Sequence, residues 1–316
     1  MKILVTGGTG FLGKRLGLKL RKMGHQVVLT GRNNKQNLLA AEFSGCEVLA
    51  MDVSQIESVR DIVTQVKPEI IVHAAATKFV DIAERQPMEA VDVNVTGSQN
   101  VARVAIEKGV ELVVGISTDK ASPPVRNTYG LTKSLMERVF CTMEGKSNTH
   151  FVCVRYGNVA WSTGSVLGIW RKMLKKDGVI GTTGPEMFRY FFTVDEAVDL
   201  VLTAINYSKE LYGKVLSREM KAAQLGDILR VWTTQEGKRY ERIAGRPGER
   251  NEEYLIGEPE LAYTRALKYD GIEHYIISFN EKVDKPLNTV LSSGTAERLS
   301  DEEIGKLINN PPVEEL

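Results

Sequence analysis

The amino-acid sequence predicts an α/β fold of the Rossmann type, a doubly wound parallel sheet with a smaller C-terminal substrate lobe. Three observations predict it. Short apolar runs at 2–6, 26–30, 46–50, 69–74, 111–117 and 150–156 are each followed by a stretch with helical spacing. Several runs, Ile70-Ile71-Val72 and Leu112-Val113-Val114 among them, are apolar almost throughout, so helices must cover both faces of the sheet. The first run ends in a glycine-rich turn, Thr6-Gly7-Gly8-Thr9-Gly10-Phe11-Leu12-Gly13, which opens helical spacing at Leu12, Leu16 and Leu20.

The 316 residues divide into a dinucleotide-binding domain over 1–158, with 192–217 returning to it, and a lobe with C-terminal tail over 159–316. Pro87 to Gly109 reads as one long helix, with proline suited to its first turn and glycine to its stop. Tyr129 to Met143 reads as a second. Beyond residue 158 glycines break the pattern, with a further helix at 194–207. A terminal helix spans Leu299 to Asn309, where Ser300 and Glu303 have capping-box spacing.

Composition narrows the function. A hydrophobic share of 42%, a charged share of 26% and a net charge of +1 describe an ordinary globular enzyme. They give no electrostatic footprint for nucleic acid or an anionic membrane surface. Cys46, Cys141 and Cys153 are odd in number and lack C-x-x-C spacing, so no disulfide framework or metal site is expected. The start at Met1 reads as a buried strand rather than a signal peptide, and no run of about twenty apolar residues occurs. A reducing cytoplasm is the expected setting.

The glycine-rich turn brings backbone N–H groups of Gly7, Thr9, Gly10, Phe11, Leu12 and Gly13 toward a pyrophosphate at a helix N-terminus. Its G-x-x-G-x-x-G spacing resembles that of the short-chain dehydrogenase/reductase superfamily. The second strand ends in Thr30-Gly31-Arg32-Asn33-Asn34-Lys35, without the carboxylate that would repel a 2′-phosphate. Arg32, with Asn33 and Lys35, therefore favours NADP over NAD. Asp52-Val53 is expected at the adenine edge, and Ala74-Ala75-Ala76 along the cofactor, with His73 structural.

Tyr129 and Lys133 form a Tyr-x-x-x-Lys, whose four-residue step puts both side chains on one helix face. The expected role of the ammonium is to lower the tyrosine pKa, making a general base for a hydroxyl proton. Upstream, Ser117-Thr118-Asp119-Lys120 ends the fifth strand. Simple alcohol oxidation has no use for an adjacent acid and amine, whereas water elimination needs one group to protonate the leaving hydroxyl and another to remove a carbon-bound proton.

Together these residues resemble the nucleotide-sugar 4,6-dehydratases of the extended short-chain dehydrogenase/reductases, in the branch acting on UDP-N-acetylglucosamine for surface glycans. The resemblance runs through Gly7-Gly8-Thr9-Gly10, Ala74-Ala75-Ala76 with Lys78, Asn94, Ser117-Thr118-Asp119-Lys120-Ala121, Tyr129, Lys133, Arg155-Tyr156-Gly157-Asn158, Gly164-Ser165-Val166, Arg189 and Arg246-Pro247-Gly248-Glu249. It implies C4 oxidation by NADP⁺ with Tyr129 as base, loss of water across C5–C6, and hydride return to C6. Asp119 is implied as acid for the C6 hydroxyl, Lys120 as base at C5, Thr118 as partner of the C4 oxygen, and Lys133 as holder of the nicotinamide ribose. Asn94 and Tyr156 fall to the cofactor by the same resemblance. Lys78, Asn158, Ser165, Val166, Arg189, Arg246 and Glu249 are implied to bind the UDP-sugar. A homo-oligomer, dimer or hexamer, is also implied, with the helices at 87–109 and 129–143 in the dimer contact. Two other readings stay open: an epimerase on the same scaffold, and an NADP-binding regulator without catalysis.

Overall fold

The six apolar runs form six parallel strands. The computed structural model describes residues 1–245 and 247–312. Strands β1 (Lys2–Thr6), β2 (Gln26–Gly31), β3 (Glu47–Ala50), β4 (Ile70–His73), β5 (Leu112–Ile116) and β6 (His150–Val154) lie in the order β6-β5-β4-β1-β2-β3. Every residue of β4 and β5 is buried, as strands covered on both faces require. The register sets Thr6 beside His73 and Gly115 beside Cys153, so the strands end at one common edge. The order reverses between β1 and β4, where such sheets open a crevice for ligand.

The sheet continues to nine strands. Lys214–Arg218 pairs in parallel with β6, and a hairpin of Thr264–Tyr269 and Ile272–Ile277 adds two antiparallel strands beyond it. That hairpin lies within the stretch the sequence groups with the lobe. Its turn residues Asp270 and Gly271 both take positive φ, at 51° and 80°.

Helices α1 (Phe11–Lys22), α2 (Asn34–Ser44) and α3 (Ile56–Val66) follow the first three strands. On α3, Val59, Val63 and Val66 form the buried stripe. The expected long helix runs from Pro87 to Lys108 with a π-helical stretch at Val91–Thr96, and Gly109 closes it at φ 68°. The Thr128–Cys141 helix starts where Asn127 accepts the Gly130 N–H. Helices at Val194–Asn206 and Asp301–Asn309 each open with a capping box, the second made by Ser300 and Glu303 as their spacing predicts.

A second core lies under the lobe, where Trp161, Trp170 and Trp232 pack edge to face with Leu167, Ile180 and Ile228 buried around them. The Trp161 indole N–H donates to the Leu307 carbonyl at 2.7 Å, tying the terminal helix to this core. Among the described residues, no helix is long and apolar enough to cross a membrane.

Candidate active site

The turn after β1 leaves room for backbone and nothing larger. Gly7 has φ +62°, and a Cβ there would lie 2.6 Å from the Ala75 backbone. A Cβ at Gly13 would lie 2.5 Å from the Gly8 Cα. Gly10 caps α1 without a side-chain bond, and no acidic residue occupies the helix's first turn. The N–H groups at this helix end thus face the crevice with no carboxylate competing for them, a chemistry that fits a dinucleotide pyrophosphate. A cavity of about 750 Å³ extends from this cradle past β5 into the lobe.

At its middle stands a cluster built on one turn. Thr118 caps the short Asp119–Ala121 helix by accepting the Lys120 N–H. Its hydroxyl donates to Asp119 Oδ1 at 3.0 Å, and Lys120 Nζ donates to the same oxygen at 3.0 Å. Lys120 Nζ also donates to Asn158 Oδ1 at 3.2 Å and lies 3.5 Å from Glu253 Oε1. Burial pulls the Lys120 ammonium down, but the Asp119 and Glu253 charges outweigh it and hold the pKa above the usual lysine value. Asp119 is fully buried, and its Oδ2 has no hydrogen-bond partner among the described residues.

The Thr128–Cys141 helix brings Tyr129 against this cluster. Burial pushes the Tyr129 phenol up to about 12; the Lys120 charge and a hydrogen bond with Thr118 pull the other way, and Asp119 adds to the rise. The sequence expects Lys133 to be the cation that acidifies this phenol. In the structure the cation acting on Tyr129 is Lys120, and desolvation wins, so the phenol keeps its proton. Lys133 is itself drawn down to about 8 by burial, with Nζ 2.9 Å from Met136 Sδ. Arg155 anchors the helix from below, fully buried between Glu137 and Glu260 with bonds of 2.7–3.0 Å to the two carboxylates.

Most of the expected residues meet at the cavity wall. On the cofactor side these are Gly7, Thr9, Gly10, Phe11, Leu12, Gly13, Arg32, Val53, Ala74, Ala75, Ala76, Lys133 and Tyr156. Thr118, Lys120 and Tyr129 follow, then Lys78, Asn158, Ser165, Val166, Arg189 and Glu249 on the lobe side. Asp119 stands just behind the wall, bonded to Lys120. Arg189 is held by the Phe188 and Asn251 carbonyls, and Glu249 accepts from Thr183. Arg246 lies outside the described residues.

Four expected cofactor contacts stand off the wall, each for a local reason. Asn33 is the N-cap of α2, its side chain accepting the Gln36 N–H at 3.1 Å. Lys35, one residue into that helix, is exposed. Asp52 turns back on Ser54, accepting from its N–H and hydroxyl, and pairs with Arg32 at 3.8 Å. Asn94, in the π-helical stretch, bonds both backbone groups of Thr77 and the Thr132 hydroxyl, so it fixes the strand end against the Tyr129 helix.

Sequence reasoning missed Gln36 and Glu253, both on the wall. Glu253 left no signal, because an acidic residue in an aperiodic loop looks like any solvated charge.

A pyrophosphate cradle at the switch point, a Tyr-Lys helix and an acid-amine turn sharing one cavity define a nucleotide-sugar dehydratase or epimerase on a short-chain dehydrogenase/reductase scaffold. The family model described as polysaccharide biosynthesis protein matches residues 3–272, and the chain belongs to that family. An uncharacterized membrane protein of Methanocaldococcus jannaschii is 34% identical, over 90% of this chain and 92% of its own length. The UDP-N-acetylglucosamine 4,6-dehydratase (inverting) of Campylobacter jejuni is 30% identical, over 90% of this chain and 84% of that protein. A UDP-glucose 4-epimerase of Rickettsia bellii is 29% identical over 98% and 95%. Among solved structures, Pen from Bacillus thuringiensis superposes with a TM-score of 0.88 at 29% identity, covering 97% of this chain and 96% of that one.

Proposed function

We propose that this chain is an NADP-dependent UDP-N-acetylglucosamine 4,6-dehydratase, forming a UDP-4-keto-6-deoxy-hexosamine for surface glycans. The observation that carries this reading is the Asp119–Lys120 contact at 3.0 Å beside Tyr129, in a cavity that runs from the cofactor cradle to the lobe. An epimerase inverts one carbon and needs no such pair; elimination needs an acid and a base a short distance apart.

When bound, the nicotinamide supplies the acceptor for the C4 hydride and gives it back at C6. The glycine turn would hold its pyrophosphate, Arg32 its 2′-phosphate and Lys133 its ribose. Tyr129 takes the C4 hydroxyl proton as its own phenolic proton passes to the hydrogen-bonded Thr118 hydroxyl, the partner of the same oxygen. Lys120 removes the C5 proton, acidified once C4 is a ketone, and Asp119 protonates the departing C6 hydroxyl. Arg246 and Glu249 grip the diphosphate and uridine ribose, and Asn158, Ser165, Val166 and Arg189 line the sugar-nucleotide pocket with Lys78. Met88, Val91, Leu131 and Leu135 are exposed on the two helices assigned to subunit contact, which supports a homo-oligomer. In this reading residues 1–158 with 192–217 bind the cofactor and the remainder binds the sugar nucleotide.

Incubation with UDP-N-acetylglucosamine and NADP⁺, followed by mass spectrometry, tests the proposal. A product lighter by one water supports it. An isomer of unchanged mass supports the epimerase, the activity named for the Rickettsia relative. Tight NADP binding with no turnover on any UDP-hexose supports the silent regulator.

A further inference from the structure

Three acceptors surround Lys120 Nζ: Asp119 Oδ1 at 3.0 Å, Asn158 Oδ1 at 3.2 Å and Glu253 Oε1 at 3.5 Å. An ammonium has no lone pair with which to remove a proton; here two of its three N–H groups are hydrogen-bonded, to Asp119 and Asn158, and the Glu253 carboxylate stands at ion-pair distance. Lys120 becomes a base only after one proton leaves it. The Asn158 amide cannot accept a proton, and Asp119 must already carry one if it is to protonate the C6 hydroxyl. Glu253 is the acceptor that remains. Its side chain is buried and lines the cavity, and Oε2 has no partner among the described residues. A buried carboxylate oxygen left unbonded is costly unless something arrives there during function. The backbone of Glu253 is fixed on both sides by Ser293, whose hydroxyl accepts its N–H at 2.9 Å and whose N–H donates to its carbonyl at 2.8 Å.

We infer that Glu253 is the proton store of the dehydration step, taking the surplus proton of Lys120 before Lys120 acts at C5; this rests on the dehydratase reading above. The proton of the C4 hydroxyl passes to Tyr129, which hands its own through the Thr118 hydroxyl to Asp119, so Asp119 becomes the acid. Lys120 gives one proton to Glu253 and becomes a neutral amine. The amine takes the C5 proton, the C5–H electron pair becomes the second C5–C6 bond, and the C6–O bond breaks with its pair on oxygen. That oxygen takes the Asp119 proton and leaves as water. Lys120 is then an ammonium and Asp119 a carboxylate. When Lys120 returns its proton to C5, the proton held by Glu253 restores the starting cluster. Glu253 touches no reacting atom and acts through Lys120, so it is a positioning and proton-holding residue.

The test compares E253Q, which keeps the side-chain shape but cannot store a proton, with E253D, which is shorter but can. Wild type and both variants receive UDP-N-acetylglucosamine and NADP⁺ in deuterated water. Expected in E253Q is an early rise of reduced nicotinamide that persists, with deuterium entry at C5 and water loss slowed about a hundredfold. E253D recovers part of the C5 exchange. Exchange in E253Q as fast as wild type or faster, or E253D poorer than E253Q, overturns the inference, the second because packing alone favours the isosteric amide. A readout without cofactor or substrate is the ¹⁵Nζ resonance of Lys120, assigned with K120R. The groups acting on Lys120 Nζ are Asp119, Glu253, Asn158, Arg189 and Tyr129, and loss of the Glu253 charge shifts its titration to lower pH. A titration that does not move overturns the sharing of a proton. Should wild type give only an isomer of unchanged mass, the dehydratase reading falls, and the titration still decides whether Lys120 and Glu253 are coupled.

Discussion

Gly130 rests directly on the backbone of Lys120: a Cβ added at Gly130 would run into the Lys120 carbonyl oxygen. The helix that carries Tyr129 thereby starts against the turn that carries Asp119 and Lys120, and the two halves of the proposed catalytic cluster share one contact. Gly130→Ala forces them apart. The expected result is a loss of about 1–3 kcal/mol in urea unfolding, a typical cost of overpacking. Turnover should fall at least about tenfold, as small misplacement of reacting groups does. Unchanged turnover would show that the contact does not set the geometry of the site.

Tyr129 and Asp119 act at different moments of the proposed cycle, so their variants should fail differently. Tyr129→Phe removes the base for the first proton, and no reduced nicotinamide absorbance should appear with substrate. Asp119→Asn keeps that base but removes both the acceptor of its relayed proton and the acid for water loss, so reduced nicotinamide should form slowly and then persist while product falls by about 10²–10⁴-fold. Stopped-flow absorbance separates the two, and matching traces from both variants would contradict the assigned roles.

Arg32 is half exposed and balanced between two acids, Asp52 at 3.8 Å and Glu89 at 3.5 Å. A 2′-phosphate has to compete with both for the guanidinium. Arg32→Ala should weaken NADP binding by about tenfold while leaving NAD nearly unchanged, since only NADP carries the phosphate for its fork. Glu89→Gln should strengthen NADP binding instead. Titration calorimetry with both nucleotides checks the pair, and equal losses for NAD and NADP in Arg32→Ala would remove Arg32 from cofactor choice.

How far the site was legible follows from where each contact lies along the chain. Ile70-Ile71-Val72 and the glycine turn announce themselves because a strand covered on both faces and a helix entered through glycines leave local patterns. The acid-amine turn at Asp119-Lys120 was readable for the same reason, as one tetrapeptide at a strand end. The pairing of Lys120 with Glu253 was not, since it joins a strand end to a distant loop through tertiary folding alone. Asn33 and Asp52 were harder to place, because the residue types that bind ribose and phosphate also cap helices and close turns, and here both accept local backbone N–H groups. The hairpin around Asp270-Gly271 did leave a signal, an Asp-Gly between alternating residues, though its place at the sheet edge depends on pairing with Lys214–Arg218.

His73 yields a prediction about acid stability. Its ring is fully buried between the Thr6 hydroxyl at 2.8 Å and the Ser98 hydroxyl at 3.0 Å, and Ser98 in turn donates to the Asn94 carbonyl at 2.6 Å. This chain joins the ends of β1 and β4 to the helix beneath the cofactor cradle. Burial, helped by the Lys133 charge, pushes the His73 pKa down to about 3. An unfolded histidine titrates near 6.5, so between these values the unfolded chain binds the extra proton. The stability that neutral His73 contributes is therefore complete above about pH 6.5, declines as pH falls, and is lost below about pH 3. Within that window the loss approaches about 1.4 kcal/mol per pH unit. Urea unfolding at pH 7, 6, 5 and 4 should show this slope in wild type and a shallower one in His73→Asn, which keeps a polar side chain but does not titrate. Parallel slopes for the two proteins would assign the acid sensitivity to other groups.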